Sequence, residues 1–487
     1  MKISKAFGRA ALLAAVASFS TSTMSQSPLG NGTAAQSPAE DTALRTVQTW
    51  FELARSGEDA AYIAFLKEHW PDRPGPPESW LNGRAMLREL QPRGVASVST
   101  TEVALWVFDP NMDSFALVTA KLSPDNPARI TTSMLQLTDR VPPGAVMPAR
   151  LQGQALIDAS RARIDELVAN NRFSGTVLLA HRGRVLFQQA FGLADREARK
   201  ANTLDTQFRF GSMGKMFTAV AIMQLAQAGK VDLAAPIGRY LPAYPNSDIA
   251  AKVTVAHLLT HTGGTGDIFG PQFVANKASL RDLKDYVDLY GSRALQFEPG
   301  SRIAYSNYGF ILMGRIIEHV SGLSYDDYVE RHIFRPAGMR STGHLPETTI
   351  LPKRAVAYMG PNDKLARADP TLPVRGTSAG GGYSTVGDFN RFMQALLSHR
   401  VLSADSFGKL TTGGVTLPDG KLARYDFGGA MAGAGRYLGH GGGAPGMNGM
   451  LVHFPGNGYT IVVLANRDPP VADGLARFIA YRLPEPS

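Results

Sequence analysis

The chain has 487 residues, of which 44% are hydrophobic and 19% charged. That composition is globular and long enough for about two to four compact units, and it excludes wholesale disorder, collagen and a coiled coil. Cysteine is absent, which excludes a disulfide, a thiolate nucleophile, a Cys-ligated metal and a lipoprotein anchor. The formal charge is +9; Lys2, Lys5 and Arg9 supply three of those charges and leave +6 on the rest. No Lys/Arg block is dense enough to form a nucleic-acid-binding stripe.

The positive start is followed by an apolar run from Ala10 to about Phe19. That is the shape of a secretory signal, over residues 1–25, and too short for a membrane span. A Ser/Thr/Gly/Gln-rich leader follows over 26–36. The expectation is a secreted or periplasmic protein with no stable membrane span.

Ser37-Pro38-Ala39-Glu40 is a capping box with Pro at the first helical position. Leu44, Val47, Trp50 and Ala54 recur at helical spacing, and Gly57 stops the pattern. A second short helix is expected over Asp59 to His69. Three strand-like runs follow, Val98–Phe108, Phe115–Leu122 and Ile130–Leu137, separated by Pro/Asn/Asp turns. Two helices and a meander predict a small α+β domain over 37–140, with element order similar to the nuclear-transport-factor-like folds. The segment 141–153, opening on Val141-Pro142-Pro143-Gly144, reads as a linker.

The second domain, 154–487, opens with a helix over Gln154–Asn170 and a hairpin of Gly175–Ala180 and Arg184–Phe191 around Arg182-Gly183. A mostly helical middle follows. Gly449–Phe454 and Tyr459–Asn466 form a closing hairpin. Strands at both ends predict one sheet built from the two termini of this unit.

Three constellations carry chemistry. In Phe210-Gly211-Ser212-Met213-Gly214-Lys215, Ser212 and Lys215 are three apart, so one helix face holds both. The apolar run after them predicts a buried helix, and burial lowers a lysine's pKa toward a neutral amine, a base beside a hydroxyl nucleophile. Tyr305-Ser306-Asn307 offers a phenol to relay a proton and an amide to hold a substrate carbonyl. His440-Gly441-Gly442-Gly443 offers a histidine to orient substrate and glycines that let it approach the backbone. Ser406-Phe407-Gly408-Lys409 repeats the S-x-x-K spacing but reads as surface.

In that order, S-x-x-K, Y-x-N and H-G-G resemble the class C β-lactamase and penicillin-binding-protein-like serine hydrolases. The resemblance extends to Val255–Gly264, Phe297-Glu298-Pro299-Gly300, Phe334–Met339 and Gly380–Thr385, and covers roughly residues 155–480. It implies an α/β (α+β) fold of the β-lactamase/transpeptidase type, an antiparallel sheet flanked by helices plus a helical subdomain, here preceded by the small α+β domain. It implies Ser212 as acylated nucleophile, Lys215 as its base and Tyr305 as helper. Asn307, His440 and Gly442 would contact substrate, a small molecule or peptide, and the N–H groups of Ser212 and Gly443 would form the oxyanion hole. No metal or cofactor is implied. Two departures stand out: His440 replaces the lysine of a K-T-G triad, and Gly214 replaces a larger residue.

The expected function is an exported hydrolase of esters or amides, of esterase, D-amino-acid peptidase or weak β-lactamase type. The alternative is a non-catalytic sensor of peptidoglycan or β-lactams on the same scaffold. Gly376-Thr377-Ser378-Ala379-Gly380 matches the G-x-S-x-G elbow, but Asp369–Pro373 before it is no strand, so Ser378 reads as a loop residue near the cleft. His257 and His261 are spaced as in a zinc helix but lack the general base between them.

Overall fold

The computed structural model describes residues 37–485 except 139 and 432. The signal and leader expected over 1–36 lie outside the described residues. The described chain divides into two compact units, 37–148 with 431–435, and 149–430 with 436–485.

The first unit holds three helices, α1 (Pro38–Ser56), α2 (Asp59–His69) and α3 (Pro77–Leu87), and an antiparallel sheet. The sheet has the order β1 (Gln91–Val98), β2 (Glu102–Asp109), β3 (Ser114–Ser123), β4 (Asn126–Leu137). The α1 cap forms as its sequence dictates: Ser37 Oγ accepts from Glu40 N at 3.2 Å, and Glu40 Oε2 accepts from Ser37 N at 2.8 Å. Val103, Leu105 and Val107 share a core with Trp50, Phe51, Tyr62 and Leu66, while Ala104 and Trp106 cluster separately. That is the two-residue alternation of a strand. Two expectations need correction. The run Val98–Phe108 is broken by a turn in which Ser99 N donates to Glu102 O at 2.8 Å, so the sheet has four strands. Ser99, Thr100 and Thr101 are compatible with strands and concealed that turn. A third helix, α3, went unseen because Trp80, Leu81 and Leu87 are too sparse for a periodic signal.

The second unit centres on a six-stranded sheet. Its strands are β5 (Gly175–His181), β6 (Arg184–Phe191), β7 (Gly429–Met431), β8 (Gly435–Ala444), β9 (Met447–Phe454) and β10 (Tyr459–Ala465). They lie in the order β7-β8-β9-β10-β5-β6, so the first and last strands of the unit pair at its centre: Val177 faces Val463 and Leu179 faces Ile461. The β5–β6 turn puts Arg182 and Gly183 at φ of 49° and 81°, the paired left-handed conformation that matches strand twist. Every residue of β9 and β10 is buried, which explains their unbroken apolar runs. Helices α4 (Gly153–Ala169) and α8 (Val471–Ala480) pack together, with α8 against β9 and β10. Between β6 and β7 the chain is largely helical. It contains α5 (Lys215–Gln227), α6 (Asn307–Ser321), which packs on α5, and α7 (Val386–Leu397), which packs on β10 and β5.

His440 lies within β8, a strand not predicted from the sequence. Glycine's low strand propensity masked that strand. Because β10 is buried along its whole length, Ile461→Ala (0% exposed) should cost ~2–5 kcal/mol. The loss is read as a lower urea midpoint of the second unit, with Ile350→Ala (91% exposed) shifting it by at most ~0.5 kcal/mol.

Candidate active site

Gly211–Gly214 is one tight 3₁₀ turn, and Lys215 is the first residue of α5. Ser212 and Lys215 are therefore joined across a turn-to-helix junction rather than along one helix. The outcome for the side chains is the same, because Lys215 Nζ lies 3.3 Å from Ser212 Oγ. Met216 through Met223 are all buried, so α5 is sunk in the core and Lys215 goes with it, at 0% exposure.

The buried ammonium has three N–H groups and meets three acceptors. These are Ser212 Oγ, Asn307 Oδ1 at 2.7 Å, and the Ala379 carbonyl. Its charge also lies over the rings of Tyr305 and Phe310, 4.8 and 5.3 Å from their centroids. Burial lowers the Lys215 pKa to about 8, against the pull of the Asp426 and Asp267 carboxylates, which favour the charged form.

Tyr305 OH donates to Ser212 Oγ at 2.8 Å. Burial first, then the nearby Asp426 charge, raises the Tyr305 pKa well above its ordinary value, so the phenol stays protonated. The next residue caps α6: Ser306 Oγ accepts from Gly309 N at 2.9 Å. Asn307 is the first residue of α6. It is buried, its Oδ1 occupied by Lys215, its Nδ2 3.3 Å from Asp267 Oδ2 and its N–H 2.8 Å from Asp267 Oδ1.

Strand β8 closes the site from the other side. A Cβ on Gly442 would lie 2.0 Å from Phe210 O and 2.9 Å from Ser212 N; one on Gly211 would lie 2.9 Å from Gly443 N. Only glycine permits this contact, which sets the amides of Ser212 and Gly443 on the two sides of one seam. Asn448 pins the strand, its Nδ2 donating to Gly442 O at 2.9 Å and to Asp473 Oδ2 at 2.8 Å. By strand alternation His440 shares the face of Gly442, toward the serine turn. Its imidazole is engaged, with Nε2 2.8 Å from Asp426 Oδ2 and Nδ1 against the Gly441 carbonyl.

The structure also settles the decoys. Ser378 is fully buried against Gly314, its Oγ without a hydrogen-bond partner. The G-x-S-x-G segment instead delivers the Ala379 carbonyl to Lys215. Ser406 is buried, contrary to expectation, while Lys409 points outward to Asp405 at 2.8 Å. His257 takes part in a helix cap with Thr254, whereas His261, past the helix end at φ 57°, reaches Asp426. Gly214 is accounted for, since a Cβ there would lie 2.9 Å from the Phe210 ring and 3.2 Å from Gly380 Cα.

Four participants went unforeseen: His261, Asp267, Ala379 and Asp426. The first and third lie in segments already singled out. Asp267 follows one closely. Asp426, in Arg424-Tyr425-Asp426-Phe427, belongs to no motif.

The sequence model described as Beta-lactamase matches residues 161–483. The chain belongs to that family. It is a serine hydrolase of the β-lactamase-related fold. Penicillin-binding protein 4* of Bacillus subtilis (strain 168) is 31% identical over 324 residues, 62% of this chain and 70% of that protein. Esterase EstB of Burkholderia gladioli is 32% identical over 208 residues, 39% of this chain and 53% of that protein. The solved D-amino acid amidase from Ochrobactrum anthropi SV3, in complex with D-phenylalanine, has a TM-score of 0.57 at 25% identity, covering 67% of this chain and 98% of its own. The match begins past residues 37–148, the larger part of the first unit. Among the described residues no helix is long and apolar enough to cross a membrane.

The glycine seam generates a prediction for this family member. Gly442→Ala forces β8 away from the Ser212 turn and should lower ester hydrolysis by ~10²-fold or more, a displacement of about 1 Å being sufficient. Initial rates on p-nitrophenyl butyrate check it, with Gly408→Ala, in the helix Ala404–Thr412 with nothing within 4 Å of its Cβ, as the control retaining most activity.

Proposed function

We propose that the protein is an exported acyl-enzyme hydrolase of esters and amides in which Ser212 is the nucleophile and Lys215 its base. The observation that carries this reading is the pair of contacts on Ser212 Oγ, from Lys215 Nζ at 3.3 Å and Tyr305 OH at 2.8 Å.

The three acceptors around Lys215 define how it works. The ammonium satisfies all three. On losing one proton, the amine keeps two N–H groups for the fixed acceptors Asn307 Oδ1 and Ala379 O, and its lone pair then faces Ser212 Oγ. The hydroxyl donates its proton to that lone pair as the oxygen attacks the acyl carbon. Tyr305 donates to the same oxygen until the acyl carbon is attacked; it then gives its proton to the leaving group and takes one from Lys215, which returns the phenol to its protonated form and the amine to its neutral one. The amides of Ser212 and Gly443 receive the oxyanion. Water then attacks the acyl-enzyme by the same route in reverse.

Asn307 in this reading holds Lys215 rather than the substrate. His440 is committed to Asp426, so its imidazole offers a substrate carboxylate no unpaired cation. That favours acyl donors without a carboxylate beside the scissile bond, simple esters and amino-acid amides, over carboxylate-bearing β-lactams. The esterase and the D-amino acid amidase among the relatives support the same direction.

Ser212→Ala should lower hydrolysis of p-nitrophenyl butyrate by at least ~10³-fold and abolish fluorophosphonate labelling, whereas Ser378→Ala and Ser406→Ala keep both. Labelling that survives Ser212→Ala would place the nucleophile elsewhere. The base has a pH signature. Only neutral Lys215 accepts the proton, so kcat/KM should rise with pH through an apparent pKa of about 8 and fall about tenfold per unit below it. Were Tyr305 the base, the rise would come well above pH 10, because its pKa is shifted upward.

A further inference from the structure

One carboxylate connects the two sides of the site. Asp426 Oδ2 lies 3.0 Å from His261 Nε2 and 2.8 Å from His440 Nε2. The His261 tautomer is fixed: its Nδ1 accepts from Ser306 N at 3.1 Å, so its Nε2 carries the proton that Asp426 receives. His440 turns both ring nitrogens to oxygen atoms, Nε2 to Asp426 and Nδ1 to Gly441 O.

Each imidazole governs one half of the reaction centre. His261 lies against Tyr305, with ring centroids 4.5 Å apart and the planes tilted by 33°, and its hydrogen bond from Ser306 N holds the peptide between Tyr305 and Asn307. His440 belongs to β8, two residues before Gly442. Asp426 is itself fixed through its backbone, its N–H donating to Leu259 O at 3.0 Å. Its side chain is only 22% exposed. Burial pushes its carboxyl up, but the two imidazoles outweigh burial and hold it well below the usual carboxylate range.

We propose that Asp426 is a positioning residue for hydrolysis: through His261 and His440 it registers the Tyr305–Asn307 segment and the Gly442–Gly443 strand against Ser212. The inference rests on the acyl-enzyme reading above and extends it to a residue outside every motif. The same carboxylate acts at a distance on Lys215. The groups facing that amine are Ser212, Asn307, the Tyr305 phenol and the Ala379 carbonyl, with Asp267 and Asp426 as the nearby negative charges. Neutralising Asp426 removes one of the two carboxylates that keep Lys215 protonated, so the amine becomes neutral at lower pH.

The test measures kcat and KM on p-nitrophenyl butyrate between about pH 6 and 9.5, the range that brackets the base, for the wild type, Asp426→Asn and Asp426→Glu. Asp426→Asn is expected to lower kcat roughly 10–100-fold, to leave KM within about threefold, and to move the rising limb of the profile to lower pH. Asp426→Glu, which keeps the charge, is expected to keep the limb in place while kcat falls. A wild-type kcat in Asp426→Asn overturns the proposal. So does a lower kcat with an unmoved limb, which would mark a merely structural residue. Should Asp426→Asn not accumulate as folded protein, Asp426→Glu decides alone: an unmoved limb with lower kcat supports the proposal, and a wild-type kcat or a displaced limb overturns it. Full turnover by Ser212→Ala in the same assay would instead break the acyl-enzyme reading itself.

Discussion

Everything at this site follows from placing the amine of Lys215 inside the core. An isolated ammonium in a low-dielectric interior is expensive, and the chain has two responses: pair the charge or give up the proton. It does some of each. Three acceptors complete the ammonium's hydrogen bonds, two aromatic rings lie beside it, and two carboxylates act on it from a distance. Burial still wins part of the contest and brings the pKa to about 8. An amine there is mostly charged at neutral pH yet has an accessible neutral form, which is the compromise a general base requires. Deeper burial without the carboxylates would give a neutral amine of lower basicity. Stronger pairing would give a permanent cation with no lone pair to offer.

The same balance explains why Tyr305 and Lys215 cannot exchange roles. Both are buried, but burial moves an acid and a base in opposite directions. The phenol is pushed toward permanent protonation and the ammonium toward release. Environments that drive two titratable neighbours apart assign their chemistry: Lys215 becomes the proposed acceptor of the serine proton, and Tyr305 a donor that holds its proton until a leaving group takes it. Asp426 enforces the division, since its negative charge disfavours a tyrosinate and favours an ammonium.

How legible this was in the sequence depends on which signals are local. Ser212 and Lys215 were readable because their spacing is short and the apolar run after them announces a buried helix. That the two ends of the second unit share one sheet was readable because strand-like apolar runs stand at both ends, as in β5 and β10, which are buried almost throughout. Strand β8 was not, because a strand composed largely of glycine carries neither alternation nor β-branched residues. Asn307 was found but its contact with Lys215 was not, since nothing local says whether an amide faces a ligand or a lysine. Asp426 was unreadable in principle. A carboxylate that serves a site through two histidines from other segments has no spacing rule to obey. Only the fold brings Asp426, His261 and His440 to one point.

Glycine is what allows so many backbone segments to meet at one serine. Gly211 and Gly442 bring the Ser212 turn within contact of β8, and Gly214 and Gly380 bring it within contact of the segment that supplies the Ala379 carbonyl. Each lacks the single atom that would hold the segments apart, and each sacrifices backbone entropy on folding for that contact. The expenditure is useful only if the segments are then held in register, since a glycine-lined seam has no side chains to interlock. The hydrogen bonds around it supply that register: Asn448 on Gly442 O, Lys215 on Ala379 O, and the Asp426–imidazole pairs linking β8 to the Tyr305 segment. Close approach and polar anchoring are thus two halves of one construction. A seam of glycines without the carboxylate–histidine tie would be close but loose, and a tie without the glycines would hold the Ser212 and Gly443 amides too far apart for the oxyanion-binding role proposed for them.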